Sequence, residues 1–341
     1  MKLAIKACAA LLCAFMVWEV LLEMFVLRAP SIQTHPIMGR IFTAGAYVYG
    51  EEGFASTHLN SLGMRNAEIA PHRHGEQRIF VLGDSFTAGT HVGDGHTFCD
   101  ITRNALVRRF GSRINLINGG QSGESPAYYI HLADFYKSMI APDYVVVQLE
   151  QQDFTTEMLD SHDAFYVMRD RSGFHSVHNA IYPPLNPITR HFPRLSFITE
   201  STSVRLILDW FKTLRRKDAP IDPDASEREG LSPAAREALT WSIGELNRRY
   251  PNVVLVYLPT IDYDRPDQPA PELEPFLAGT AANARVPLIN MREEFLRAFR
   301  STHQPPTGFN NTAPGTGHIN TLGHRLVAQQ LINFFESRIP R

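Results

Sequence analysis

The stretch that decides the fold is Arg78-Ile79-Phe80-Val81-Leu82-Gly83-Asp84-Ser85-Phe86-Thr87-Ala88-Gly89. The four apolar residues before Gly83 predict a short buried strand that ends at a turn. Glycine allows the turn a backbone conformation that a side chain would hinder, so Ser85 falls where the next helix begins. In an open α/β sheet this place lies outside the carboxyl end of a strand, where ligands bind. Ser85 is therefore a candidate nucleophile; the alternative is that Asp84 and Ser85 only cap the helix.

Strands and helices alternate on both sides of this stretch. Predicted strands cover 79–82, 114–117, 144–149, 253–258 and 286–290, and predicted helices cover 98–110, 126–139, 234–250, 272–284 and 322–337. This order predicts an α/β fold, a three-layer sandwich in which helices cover both faces of a central parallel sheet. The pattern degrades over about 155–229, where prolines and charged residues accumulate. We interpret this stretch as an insertion and a candidate substrate lid, with one amphipathic helix at 203–214.

The amino-terminal residues are mostly apolar and predict a membrane anchor over 1–28. As a helix, Leu3 to Leu27 would span about 37 Å, enough for a bilayer. Lys2 and Lys6 favour an amino terminus in the cytoplasm, which predicts a single-pass protein of the bacterial inner membrane. The alternative is a removed signal peptide, and either reading places the remaining chain outside the cytoplasm. Residues 29–77 then form a lead-in segment, and 78–341 form the α/β domain with its insertion.

Composition narrows the classes of partner and cofactor. The formal net charge of −2 over 341 residues offers no overall basic field for nucleic acid. Only Cys99 lies beyond the apolar segment, so the body holds neither an internal disulfide nor a cysteine-based zinc site. Metal binding through histidines near Ser85 stays open as a weaker alternative, although no recognised ligand spacing is present; these are His72, His74, His91 and His96. We expect no cofactor.

Nucleophilic acyl transfer needs a hydroxyl, a base within hydrogen-bond reach, and donors for the developing oxyanion. Ser85, the turn 118–123 and the turn 150–153 all follow predicted strands and converge at one sheet edge. The backbone N–H groups of Ser85 and Gly123 and the side-chain amide of Gln152 are the candidate donors. A tight turn is the alternative explanation for the glycines. The candidate base is His318, in a glycine-rich loop before the last helix.

In this order, Ser85, Gly123, Gln152 and His318 resemble the four blocks of the SGNH (GDSL-type) hydrolases. The resemblance covers about Leu59 to the end of the chain. The pattern Asn60-x-x-Gly63-x-Arg65, followed by Gly83-Asp84-Ser85-Phe86-Thr87-x-Gly89, is similar to the membrane-anchored bacterial branch of that family. The resemblance implies that Ser85 is the nucleophile and His318 the general base. It also implies an oxyanion hole formed by Ser85, Gly123 and the third-block amide.

Two positions depart from the family pattern. The third block of the family contains Gly-x-Asn-Asp, whereas this chain has Glu150-Gln151-Gln152-Asp153, which places the amide on a longer side chain. The family also carries an aspartate two or three residues before the histidine, where this chain has Thr316 and Gly315. Threonine cannot supply the negative charge that orients and stabilises an imidazolium. The sequence therefore leaves open a Ser-His dyad, a remote acid, or weakened catalysis.

Two functions follow from these expectations. The first is a serine esterase or acyltransferase acting on O-acyl esters, with acetyl esters of envelope glycans as candidates. Its substrate would be an acylated small molecule or polysaccharide. The second is a catalytically weakened or inactive glycan-binding or scaffold protein that kept the fold.

Overall fold

A five-stranded sheet forms the centre of the protein. The computed structural model describes residues 2–25, 32–50, 52–154, 158–161, 164–179, 203 and 231–340. The strands of the sheet are β5 (Gln77–Leu82), β6 (Ile114–Asn118), β7 (Tyr144–Leu149), β10 (Val253–Tyr257) and β11 (Leu288–Asn290). Their order is β11-β10-β7-β5-β6, and every neighbouring pair is parallel. The predicted α/β fold with a central parallel sheet is confirmed.

Helices cover both faces of this sheet. They are α2 (Ser85–Ala88), α3 (Phe98–Phe110), α4 (Pro126–His131), α5 (Ala133–Ile140), α6 (Pro233–Arg249), α7 (Leu273–Asn283), α8 (Arg292–Thr302) and α9 (Thr321–Glu336). Successive strand residues point to opposite faces. Accordingly, Phe80 and Leu82 join one apolar cluster with α4 to α7, while Ile79 and Val81 join a second cluster with α3, α8 and α9. The two clusters make the domain three layers deep.

Two helices differ from the sequence prediction. The predicted helix over 126–139 is two helices, because Leu132 leaves helical geometry with φ −89° and ψ 6° and lies between α4 and α5. Helix α8 was not predicted. Its buried residues are Phe295 and Leu296, and Phe299 follows Phe295 by four positions, so the sequence does carry an amphipathic helical pattern that the prediction overlooked.

The lead-in segment contains two antiparallel hairpins that lack a long sequence pattern. Their strands are β1 (Ile32–His35), β2 (Gly39–Phe42), β3 (Gly45–Tyr49) and β4 (Ala55–Leu59). β4 alternates in burial, but one of its three inward residues is the polar Thr57, so no alternation of apolar and polar residues shows in the sequence. Met38, Ile41 and Met64 are buried in the first apolar cluster, so the segment packs on the domain it precedes.

The amino-terminal residues form a helix, α1 (Lys2–Phe25). Trp18 Nε1 donates a hydrogen bond to Ser203 Oγ over 3.1 Å. Within the described residues, no helix is long and apolar enough to cross a membrane. The structure therefore does not support the transmembrane helix predicted for residues 1–28.

Only part of the predicted insertion over about 155–229 is described. It contains a hairpin of β8 (Phe165–Asp170) and β9 (Gly173–His178), which packs against α4. Phe165 is buried in the first apolar cluster. Apart from Ser203, the predicted amphipathic helix at 203–214 lies outside the described residues, as does most of the candidate lid.

Candidate active site

The turn between β5 and α2 places Ser85 at the first position of its helix. Asp84 caps α2, since its side chain accepts a hydrogen bond from Phe86 N over 2.7 Å. A Cβ atom at Gly83 would overlap the Thr87 side chain and lie 2.5 Å from Gln148 Oε1, so only glycine fits there. The capping interpretation therefore holds for Asp84. It does not account for Ser85.

Ser85 Oγ lies 2.7 Å from His318 Nε2, a hydrogen-bond distance across 233 positions of sequence. His318 belongs to the loop before α9, which Asn320 holds in place. The Asn320 side chain accepts from Leu322 N and Gly323 N, and it donates to Pro305 O and Gly308 O. The structure thus brings the predicted nucleophile and the predicted base together.

A third group, which sequence reasoning missed, completes this arrangement. Glu52, in the turn between β3 and β4, places Oε2 2.8 Å from His318 Nδ1 and accepts from His318 N over 3.0 Å. Its carboxylate occupies the place relative to the imidazole that the family aspartate would fill. The sequence contains no signal for it, because Glu52 precedes His318 by 266 positions in a segment without a periodic pattern.

The loop before His318 explains why the acid comes from elsewhere. The Thr316 hydroxyl donates to Ala313 O over 2.8 Å, and the residue is exposed, so this side chain folds back on its own loop. Gly317 has φ +71°, and a Cβ atom there would lie 2.9 Å from both carboxylate oxygens of Glu52. The glycine before His318 thus leaves the room that the Glu52 carboxylate fills.

Glu52 is ionised over the neutral range. Burial alone would raise the pKa of Glu52, but the hydrogen bonds and the charge of His318 outweigh burial and lower that pKa to about 2. An ionised carboxylate only accepts hydrogen bonds, so the neutral imidazole carries its proton on Nδ1. Nε2 is then free to accept the Ser85 proton, which is the tautomer that a general base needs.

The depressed pKa of Glu52 predicts a specific loss of stability in acid. The ordinary pKa of a glutamate side chain is 4.5 and the pKa of Glu52 in the folded protein is about 2, so its contribution to stability is fully present above pH 4.5. It is lost as the pH falls toward 2. We expect wild type to lose more unfolding free energy on acidification than Glu52→Gln, which cannot titrate. Urea unfolding at several pH values measures both curves, and curves that stay parallel below pH 4.5 would contradict the expectation.

A second histidine contacts the first. His91 stacks on His318 with ring centroids 3.8 Å apart and planes 22° apart, and Tyr49 meets its edge at 4.7 Å. Burial lowers the pKa of His91 to about 3, with further lowering from the charge of His318, so the stacked ring is neutral.

One group of side chains is close enough to be considered as a metal site: the ligand atoms of Glu52, His91 and His318 lie within 4.8 Å of one another. The nitrogen lone pairs of an imidazole lie in the ring plane. In two rings stacked nearly parallel at 3.8 Å, these lone pairs run side by side and do not converge on one ion. His72 is not part of this group, and its Nε2 lies 3.8 Å from Asp143 Oδ2. The arrangement fits a proton relay better than a chelate.

The predicted oxyanion residues follow strands next to β5. The turn after β6 is joined to the nucleophile turn by a bond from Gln121 N to Gly83 O over 2.9 Å. Gly123 follows with φ +76° and is exposed, with no atom within 4 Å of its Cβ position. Gln152 is exposed after β7, and its backbone N donates to Glu150 Oε1. Their part in an oxyanion hole, with Ser85 N, stays a prediction.

Gly120 is more than a turn residue. A Cβ atom there would overlap the backbone of Thr87 and Ala88 in α2. The turn after β6 therefore lies directly against the helix that carries Ser85, and glycine is needed for that close approach.

A hydroxyl, an imidazole and a carboxylate joined in sequence at the carboxyl edge of a parallel sheet define a serine-hydrolase type of site. The signature of the GDSL-like lipase/acylhydrolase family matches residues 79–331. This protein belongs to that family, whose members hydrolyse esters. The SGNH assignment made from the sequence is thereby confirmed at the level of the family.

Solved structures with similarity to this chain include several esterases. A two-domain esterase active on acetylated mannans, crystallised with mannopentaose, is 13% identical with a TM-score of 0.42, covering 77% of this chain and 49% of that chain. The chain thus spans about half the length of that esterase. The lipase/acylhydrolase from Enterococcus faecalis is 14% identical with a TM-score of 0.42 (77% and 97% covered). An acetyl xylan esterase is 14% identical with a TM-score of 0.38 (77% and 100% covered). No curated protein matches this chain.

Proposed function

We propose that this protein is a serine esterase or acyltransferase in which Ser85, His318 and Glu52 form the catalytic triad. The observation that carries the proposal is the continuous relay from Ser85 Oγ to His318 Nε2 and from His318 Nδ1 to Glu52 Oε2, at 2.7 and 2.8 Å. Weakened catalysis was a hypothesis because the family aspartate is missing from its usual position. A carboxylate on the correct nitrogen of the imidazole removes that reason.

The reaction would proceed by two acyl transfers. His318 Nε2 takes the proton of Ser85 as Oγ attacks the acyl carbon, and the Glu52 carboxylate stabilises the imidazolium that forms. The N–H groups of Ser85 and Gly123 and the amide of Gln152 are the donors proposed for the oxyanion. The protonated imidazole then gives its proton to the leaving alcohol, which leaves an acyl-Ser85 enzyme. Water or a sugar hydroxyl, deprotonated by His318, then attacks the acyl carbon; the bond to Ser85 Oγ breaks, and His318 returns the proton to Oγ as the acid or the acylated sugar leaves.

The proposed substrates are O-acyl esters, with acetyl groups on envelope glycans as candidates, and the proposed place is the outer face of the bacterial inner membrane. Lys2 and Lys6 precede the apolar stretch, and this placement favours an amino terminus in the cytoplasm with the rest of the chain outside it. A further support is that α1 exposes large apolar side chains, including Leu11, Phe15 and Trp18. Protease digestion of spheroplasts tests the location, since an extracytoplasmic domain is cut while the cell membrane is intact.

The experiment that tests the function is fluorophosphonate labelling of the full-length protein, followed by peptide mass spectrometry. An activated serine reacts covalently with the probe, whereas an ordinary serine does not. We expect one adduct, on the peptide that contains Ser85, and release of acetate from acetylated glycans by the same preparation. A well-folded protein without an adduct would refute the proposal and favour the scaffold function. That alternative now rests on Gln152 in the third block.

A further inference from the structure

The acid of the proposed triad lies on a peripheral element. Glu52 belongs to the turn of the β3–β4 hairpin, which forms a two-stranded sheet of its own and has no strand pairing with the central sheet in the described residues. The Glu52 side chain is 24% exposed. Catalytic groups must be held within about 0.5 Å of their working geometry. A peripheral hairpin therefore needs contacts that fix its turn against the loop carrying His318.

One side chain bonds the backbone on both sides of Glu52. Asn311 Oδ1 accepts from Gly53 N over 2.6 Å, and Asn311 Nδ2 donates to Gly50 O over 3.0 Å. Asn311 lies seven positions before His318. A single amide thus joins the turn of the acid to the loop of the base.

Close packing supports the same junction. Gly53 has φ +73°, and a Cβ atom there would lie 2.6 Å from the Phe309 ring and 3.1 Å from His91 O. Phe309 is held beside Asn311 by a bond from its N to Thr312 Oγ1 over 2.8 Å. The turn therefore packs directly against residues 309–312. A shift of the Asn311 side-chain amide would shift Glu52 as well.

We propose that Asn311 is a positioning residue that sets the Glu52 carboxylate against His318. The inference rests on the proposed function, because it assigns Asn311 to the geometry of that triad. Asn311 does not touch the reacting atoms. Its effect passes through Glu52, and this predicts that the effect disappears when Glu52 is gone.

A double-mutant cycle tests this dependence. Asn311→Ala, Asn311→Asp and the exposed neighbour Asn310→Ala, a matched control, are made in wild type and in Glu52→Gln. The readouts are the rate constant of fluorophosphonate labelling and kcat and KM for a small acetyl ester. We expect Asn311→Ala to lower labelling and kcat about 10- to 100-fold, with KM within about twofold, because a misplaced catalytic group costs rate rather than binding.

The remaining arms separate positioning from a general structural effect. In Glu52→Gln, Asn311→Ala should cost less than about twofold, since no carboxylate remains to be positioned. Asn311→Asp keeps the acceptor for Gly53 N but places a second acceptor against Gly50 O, so it should also lower labelling and kcat in wild type and cost less than about twofold in Glu52→Gln. It also supplies a second variant if the alanine does not fold. Asn310→Ala should match wild type.

Two outcomes would overturn the inference alone: Asn311→Ala labels as fast as a reactive wild type, or it loses the same factor in both backgrounds. An unlabelled wild type would overturn the proposed function, and this inference with it.

Discussion

Ser85→Ala and His318→Ala are each expected to lower kcat/KM for an acetyl ester by roughly 10⁵- to 10⁶-fold. Ser85 supplies the electron pair that attacks the acyl carbon, and alanine has none. His318 supplies the base 2.7 Å from the hydroxyl, without which Ser85 is an ordinary alcohol. Because the two groups act as one unit, the double variant should be no slower than either single variant within about threefold.

The measurement combines ester turnover with fluorophosphonate labelling of the three variants. His324→Gln is a matched control for the histidine, since His324 is buried and its Nδ1 accepts from Phe98 N over 3.1 Å. His324→Gln should lower the free energy of unfolding, because it disturbs the bond from Phe98 N, but fluorophosphonate should label it at the wild-type rate. Independent losses that multiply in the double variant would show that Ser85 and His318 do not work together.

Glu52→Gln is expected to lower kcat by about 10³- to 10⁴-fold with little change in KM. Glutamine has the same shape but no charge, so it no longer stabilises the imidazolium. Its amide can also donate, which would favour the tautomer with the proton on Nε2 and leave no acceptor for the Ser85 proton. Glu52 bonds His318 Nδ1, whereas Ser85 Oγ lies at Nε2, so we expect the loss in kcat to exceed any change in KM.

Glu68→Gln is the control for the loss of a carboxylate from the same lead-in segment. Glu68 accepts from Ser61 N and Ser61 Oγ, over 2.8 and 2.7 Å. The Glu68→Gln variant should retain the wild-type kcat. Glu52→Asp keeps the charge on a shorter side chain and should recover part of the activity. If Glu52→Gln turns over at the wild-type rate, the site works as a Ser-His dyad and Glu52 is a structural contact.

Local sequence patterns predicted most of the domain. The apolar run before Gly83, with similar runs ending at Leu149 and Tyr257, forms central strands because their side chains are buried on both faces. The approach of His318 to Ser85 was also predicted. Ser85 follows a central strand, and the glycine-rich loop of His318 was expected to reach the same edge of the sheet. The break at Leu132 and the short strands of the lead-in segment were not predicted, since local propensity says little about such boundaries.

The sequence by itself determined the α/β fold, the nucleophile turn and the likeness to one family, since each depends on residues close together in the chain. Only the tertiary structure decided which carboxylate faces His318. Glu52 reaches it because the lead-in hairpin packs beside the loop before α9, where Gly317 leaves room and Asn311 holds the turn. The contact between Glu52 and His318 spans 266 positions and depends on how separate elements pack together, which no local pattern of residues predicts.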